Sequence, residues 1–174
     1  MSVHVVAMGV SGSGKSTVAE GVVERTGWVF AEADAFHPQA NIDKMSQGIP
    51  LTDEDRWPWL HDLAAWMAEH AARGEDTVIT CSALKRTYRD VLRAAVAALG
   101  AGHRVVFAHL DGSAAVIADR LEGRQGHFMP ASLLQSQIDT LEDLEPDEDG
   151  VVLDLTAAPE VLVDRVMASV APGR

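Results

Sequence analysis

Apolar residues recur along this chain in two alternating patterns. Residues 3–8 read VHVVAM, a nearly continuous apolar run of the kind a strand buried on both faces requires. Residues 15–25 place Val18, Val22 and Val23 at helical spacing, and Gly27 follows as a stop signal. The alternation then repeats. Further strands are predicted at 28–33 (WVFAEA), 77–83 (TVITCSA), 104–110 (RVVFAHL) and from Val151 onward (VVLDLT). A helix from Leu60 to about Arg73 rests on the stripe Leu60, Leu63, Ala64 and Met67, and another over 88–99 rests on Val91, Leu92, Ala95 and Leu99. The remaining helices run from a Ser113 cap to Leu121, over 132–144, and from Pro159, a residue suited to a first helical turn.

Residues 34–59 fit neither period. Pro38, Gly48, Pro50 and Pro58 interrupt them, and the stretch is expected to be irregular. A segment that long inside a compact domain is a functional loop or a small inserted subdomain. Strands that alternate with helices pair in parallel through crossovers, so the expected class is α/β. The 174 residues suit one domain with one substantial core.

Charge narrows the partners. Twenty-six acidic residues against 14 basic ones give a formal net charge of −12. That balance argues against a nucleic-acid partner, which needs a basic face. It leaves room for a local basic pocket around one small anion. Cys81 is the sole cysteine, so no intrachain disulfide forms and a cytoplasmic location is expected. Cys81 itself reads as a small buried hydrophobe. The first ten residues lack a basic start and a cleavage-type ending, and no apolar run approaches the ~18 residues that span a bilayer. No membrane association is expected.

Between the first strand and the first helix lies MGVSGSGKST. Residues 9–16 fit G-x-x-x-x-G-K-[ST] in the strand-to-helix context that motif requires. Side chains would keep the backbone N–H groups away from phosphate oxygens, and the helix N-terminus adds partial positive charge. Gly12, Ser13, Gly14, Lys15, Ser16 and Thr17 are therefore the candidate nucleotide contacts. Lys15 reaches the β/γ-phosphates of ATP, and Ser16 is the candidate Mg2+ ligand. A GTPase would carry N-K-x-D. The chain has one asparagine, Asn41, followed by Ile42, so that motif is absent.

Three further features bear on the chemistry. Arg120 and Arg124, four apart in RLEGR, share a helix face. Alone, such a pair is a solvated surface. Beside a phosphate loop it reads as the hinge and lid of a small-molecule kinase, stacking on the base and reaching the transferring phosphoryl group. Asp34 stands just beyond the second strand, where open α/β sheets place their ligands, and can accept or orient the proton of an attacking hydroxyl. His37 has two readings, substrate contact or a brace for the turn before Pro38. No carboxylate ends the third strand, where Cys81 and Ser82 stand instead. Mg2+ then falls to Ser16, phosphate oxygens and water, with Glu32 or Asp34 in its outer shell. The histidines show no zinc-ligand spacing.

MGVSGSGKST, DAFHP, NIDKMSQGIPLTDEDRWPWL, CSALKRTYRDVLR and GRQGHFMPASLLQSQIDTLE, in that order, resemble the gluconokinase family of the thermoresistant type. These are P-loop kinases of the nucleoside-monophosphate-kinase-like group, and the resemblance covers almost the whole chain. It implies a three-layer fold with a five-stranded parallel sheet in the order 2-3-1-4-5. It also implies a helical substrate-binding insertion at about 37–76 and a lid at about 122–131. The implied reaction is phosphorylation of D-gluconate at its 6-hydroxyl by ATP with Mg2+, in a cytoplasmic and often dimeric enzyme. A small carboxylate in an acidic protein needs local cations, and Arg56, Lys85 and Arg89 in the diagnostic stretches are the candidates. Each has the alternative of an ordinary ion pair. The competing functions are a related kinase for another hydroxy acid such as shikimate, and a nucleotide-binding regulator that turns over little.

Overall fold

The first strand, β1 (Ser2–Met8), is buried at every position except a half-exposed Val3, which places it in the middle of the sheet. The computed structural model describes residues 1–123 and 130–172. β1 pairs in parallel with β3 (Thr77–Thr80) on one side and β4 (His103–Asp111) on the other. β2 (Val29–Glu32) adds to β3, and β5 (Gly150–Asp154) adds to β4, both in parallel. The order β2-β3-β1-β4-β5 is the one the resemblance implies.

The order dictates the layers. The path leaves β1 toward β2, then returns across β1 to β4. Right-handed crossovers in opposite directions put their helices on opposite faces. α1 (Lys15–Thr26) and α7 (Pro159–Val170) pack together on one face, and α3 (Asp53–Ala72) and α4 (Arg86–Ala97) on the other. The core between these layers includes Val6, Leu60, Leu63, Ile79, Leu92, Phe107 and Val166, each essentially inaccessible.

Between β2 and β3 the chain is more regular than its composition suggests. A 3-10 turn (Ala33–Phe36) is followed by α2 (Gln39–Ser46), where an irregular stretch is expected. α3 begins at Asp53 rather than near Leu60. Thr52 and Asp55 form a reciprocal capping box, with bonds of 3.2 and 2.9 Å, that nucleates the helix early. Pro58 sits inside α3, where its ring withholds one backbone bond without ending the helix. β3 stops at Thr80, three residues short of expectation, and Ala83 adopts φ 46°, which a strand does not accommodate. After β4 come α5 (Ala114–Glu122), capped by Ser113 as expected, and α6 (Ala131–Thr140), shorter than 132–144 at its end.

The two ends of the sheet differ in chemistry. At the N-terminal end, hydrogen bonds of 2.7 Å link Thr77, His4, Ser2 and His103 in a chain. Burial pushes the pKa of His4 down to about 4. The C-terminal ends of the strands open instead onto a cleft.

Candidate active site

The phosphate end of the cleft is made of backbone. Gly9, Gly12 and Gly14 take φ of 143°, 82° and 98°, values that side-chain-bearing residues avoid. At Gly9 a Cβ would also lie 2.8 Å from Ser13 Oγ and 2.9 Å from the Leu110 carbonyl, so the turn has no room for one. The loop feeds directly into α1 at Lys15, and the open N-terminus of that helix faces the cleft. Lys15 crosses the loop, its Nζ donating to the Gly9 and Val10 carbonyls at 3.0 and 3.1 Å. Ser16 Oγ donates to Glu32 Oε1 at 3.1 Å, and Thr80 Oγ1 approaches Glu32 Oε2 at 3.5 Å. This small group of hard oxygens joins the ends of β2 and β3 to the loop.

The opposite end is made of side chains from several elements. Asp34, in the 3-10 turn, leaves its carboxylate 91% exposed at the cleft wall. His37 is the opposite: its ring is 4% exposed and stacks on Trp59 with centroids 4.2 Å apart. Burial lowers its pKa, and Arg56 adds to that shift while Asp34 opposes it. Arg56 enters from α3 and donates to Tyr88 Oη at 2.9 Å, with its guanidinium 5.3 Å from the Tyr88 ring centre. Behind it Tyr88 donates to Asp53, and Lys85 Nζ lies 3.2 Å from both Asp53 oxygens. These donors hold the Asp53 carboxyl below its ordinary value, Tyr88 contributing most.

The cleft, of about 380 Å³, brings together Gly12, Gly14, Lys15, Ser16, Asp34, His37 and Arg56 from the sequence-derived candidates. Others stand aside. Ser13 is buried, and its N–H is engaged by the Val10 carbonyl at 3.2 Å. Thr17 faces solvent on α1. Lys85 lies behind the wall in its pair with Asp53. Arg120 rests on the loop, donating to the Ser13 and Leu155 carbonyls. Arg124 and most of the expected lid lie outside the described residues.

Arg89 requires a correction. It is completely buried and takes no part in the cleft. Its Nε and Nη2 bond Glu148 at 2.7 and 3.0 Å, and its other donors reach the carbonyls of Ala83, Leu84, Glu142 and Asp143. Burial raises the Glu148 pKa, but Arg89, the Glu145 N–H and Arg93 together outweigh it and hold the carboxyl down at about 2. Arg89 ties α4 to the segment before β5.

Several lining residues stand in the family-like stretches but were not singled out as site residues from the sequence. Gln137 on α6 accepts the Ser11 N–H at 2.8 Å, closing the loop from above. Trp59 braces His37, and its Nε1 donates to the Ala33 carbonyl at 2.8 Å. Cys81 lies in the wall, but burial pushes its thiol up to about 12, so it is no nucleophile at neutral pH.

A parallel sheet in this order, with a phosphate loop after its first strand and a wall of charged and polar side chains across the cleft from it, is that of a P-loop kinase. A family model described as an AAA domain matches residues 5–144. The gluconokinase of Gluconobacter oxydans (strain 621H) is 49% identical over 162 residues, covering 93% of this chain and 88% of the relative. Two crystal structures share the fold closely. A sugar kinase from Janibacter sp. HTCC2649, solved without ligand, has a TM-score of 0.89 at 62% identity, over 97% of this chain and 94% of that one. A gluconokinase from Sinorhizobium meliloti 1021 has a TM-score of 0.82 at 48% identity, over 95% and 90%. The chain belongs to the gluconokinase family.

Proposed function

We propose that this chain transfers the γ-phosphoryl group of ATP to the 6-hydroxyl of D-gluconate, giving 6-phospho-D-gluconate and ADP. One observation carries the reading: a backbone phosphate cradle and an acceptor wall of Asp34, His37 and Arg56 face each other across a single cleft. Phosphoryl transfer needs little covalent help from the protein. Positioning and electrostatic stabilisation supply most of the acceleration. The acceptor oxygen attacks the γ-phosphorus, the bond to the β–γ bridging oxygen breaks, and the hydroxyl proton passes to Asp34. Lys15 sits where it neutralises charge on the transferring group.

Arg56 is the candidate contact for the gluconate carboxylate. Its bond to Tyr88 uses one of five guanidinium N–H donors, and the tyrosine fixes its direction. Lys85, paired with Asp53, supports that position from behind. Arg120 belongs to the nucleotide side, and Arg124 is proposed with it as part of a lid over 122–131. The insertion at 37–76 is proposed as the acceptor-binding unit of a single domain.

The residues present fit Mg2+. Ser16 Oγ and the Glu32 carboxylate offer hard oxygens at the loop, and among the described residues no cluster of three His, Cys, Asp or Glu offers a closed metal cage. Ser16 would be its protein ligand, with Glu32 on its water shell. When bound, the ion supplies charge neutralisation at the phosphates. No helix among the described residues is long and apolar enough to cross a membrane. A cytoplasmic location and a homodimer complete the proposal, to be checked by fractionation and light scattering.

A coupled ADP-release assay over gluconate, shikimate and other sugar acids tests the acceptor, with phosphorus-detected NMR of the product. Gluconate should give the highest kcat/KM and an ester at the 6-oxygen. Preferred turnover of shikimate, or an ester elsewhere on gluconate, would replace the reading.

A further inference from the structure

Asn41 is the chain's single asparagine, and α2 buries it to 3% exposure. Its side-chain nitrogen makes two contacts, 2.9 Å to the Asp55 carbonyl and 3.2 Å to Nδ1 of His37. The first decides the second. A carbonyl oxygen only accepts, so the amide nitrogen, not its oxygen, must face Asp55. That nitrogen has two hydrogens to give and nothing to accept with. Toward His37 it can only donate. Nδ1 must therefore present its lone pair, and in the neutral ring the proton resides on Nε2.

Nε2 is the atom turned toward Asp34, 4.0 Å from Oδ1. The stack on Trp59, tilted by 14°, keeps the ring in that orientation. A donor and an acceptor 4.0 Å apart make a seat for one hydroxyl: an oxygen about 2.8 Å from each sees them at an angle of about 90°. Such a hydroxyl gives its hydrogen to Asp34 and receives Nε2–H on one lone pair. Its second lone pair stays free for attack. The opposite tautomer would set two acceptors against a single proton and leave the hydroxyl unoriented.

We propose that Asn41 is a positioning residue that locks His37 in the Nε2–H tautomer, so that His37 and Asp34 together seat the acceptor hydroxyl. This rests on the reading of Asp34 as the acceptor-side base. Of the charged groups facing His37, Asp34 comes from the 3-10 turn and Arg56 from α3. Burial with Arg56 outweighs Asp34, which keeps the ring neutral.

Long-range proton–nitrogen NMR of the histidine rings in the ligand-free protein reads the tautomer directly. Near neutral pH, His37 should show an unprotonated Nδ1 and a protonated Nε2. Asn41→Asp replaces the donor by an acceptor, which draws a proton to Nδ1 and raises the ring pKa. On the alkaline side of its raised ring pKa, where the proton stays on Nδ1 and Nε2 is bare, that variant should lose ~10² in kcat with the KM for ATP unmoved, and its kcat profile should gain an inflection near neutral pH. A protonated Nδ1 in the neutral wild-type ring would overturn the proposal. So would a folded Asn41→Asp enzyme whose neutral ring is protonated at Nδ1 and bare at Nε2 while kcat stays within a few-fold of wild type. The wild-type spectrum decides the tautomer even where the variant fails to fold. It also needs no acceptor: an Nε2–H ring in a chain that ignores gluconate sustains the lock and overturns only the choice of acceptor.

Discussion

On the proposed function, the two ends of the cleft solve the same problem, holding an anion, in different ways. At the phosphate end the donors are backbone N–H groups and a helix terminus, and the glycines serve by being absent from the space. At the other end the groups are side chains: Asp34 in a 3-10 turn, His37 just after it, Arg56 on α3 and Tyr88 on α4. A backbone cradle recognises any triphosphate. Side chains with individual orientations can distinguish one hydroxy acid from another. In the proposed function, nucleotide capture falls to the loop and acceptor identity mainly to the segment between β2 and β3.

Substitutions can break this division, and the largest expected effect is at Asp34. Asp34→Asn keeps the size and an acceptor but removes the charge. Turnover should fall by ~10²–10⁴ with ATP affinity little changed, as read by steady-state kinetics and calorimetry. Turnover within a few-fold of wild type would remove Asp34 from the base role. Arg89→Met should be comparably severe but in a different quantity. Removing one partner of a buried pair costs ~3–5 kcal/mol, so the midpoint of urea unfolding should drop sharply. A stable Arg89→Met enzyme with raised gluconate KM would restore Arg89 to the acceptor site.

Lys15→Met tests the phosphate end. Loss of one electrostatic donor typically lowers turnover by ~10²–10³, here in a protein that keeps its fold and its melting curve. Arg56→Met should be the mildest. A charge-assisted hydrogen bond is worth about 1.5–3 kcal/mol, which corresponds to a rise of ~10–10² in gluconate KM with ATP KM unmoved. A parallel rise in both constants would mean that Arg56 serves the nucleotide as well.

The same division explains what the sequence disclosed. The phosphate loop is contiguous, so eight residues and their strand-to-helix context carry the whole inference. The sheet was legible because β1, β3 and β4 carry buried apolar runs and the edge strands β2 and β5 are short β-rich ones, and the order followed from the family likeness. The acceptor end is discontinuous, and there the reading thinned. Arg89 stands one helical turn beyond Lys85, which suggested a shared direction. In α4 it falls instead on the face with Tyr88, Leu92 and Val96, and its partner Glu148 lies 59 positions away. Asn41 opens one of the family-like stretches, but no sequence feature assigned it a role. Its meaning arises from folding that carries the Asp55 carbonyl and the His37 ring to its two amide hydrogens. The early start of α3 was readable in principle, since Thr52 and Asp55 have capping-box spacing, but the prolines around them pointed to a loop.

On the proposed function, ATP is consumed only when a hydroxy acid is seated opposite the phosphate cradle. ADP release by the wild-type chain, measured with ATP and Mg2+ in the presence and absence of gluconate, tests it most directly. Release should be close to background with ATP alone and should rise steeply and saturably with gluconate. Equal release with and without gluconate would contradict the account, as would ATP binding that no acceptor converts into turnover.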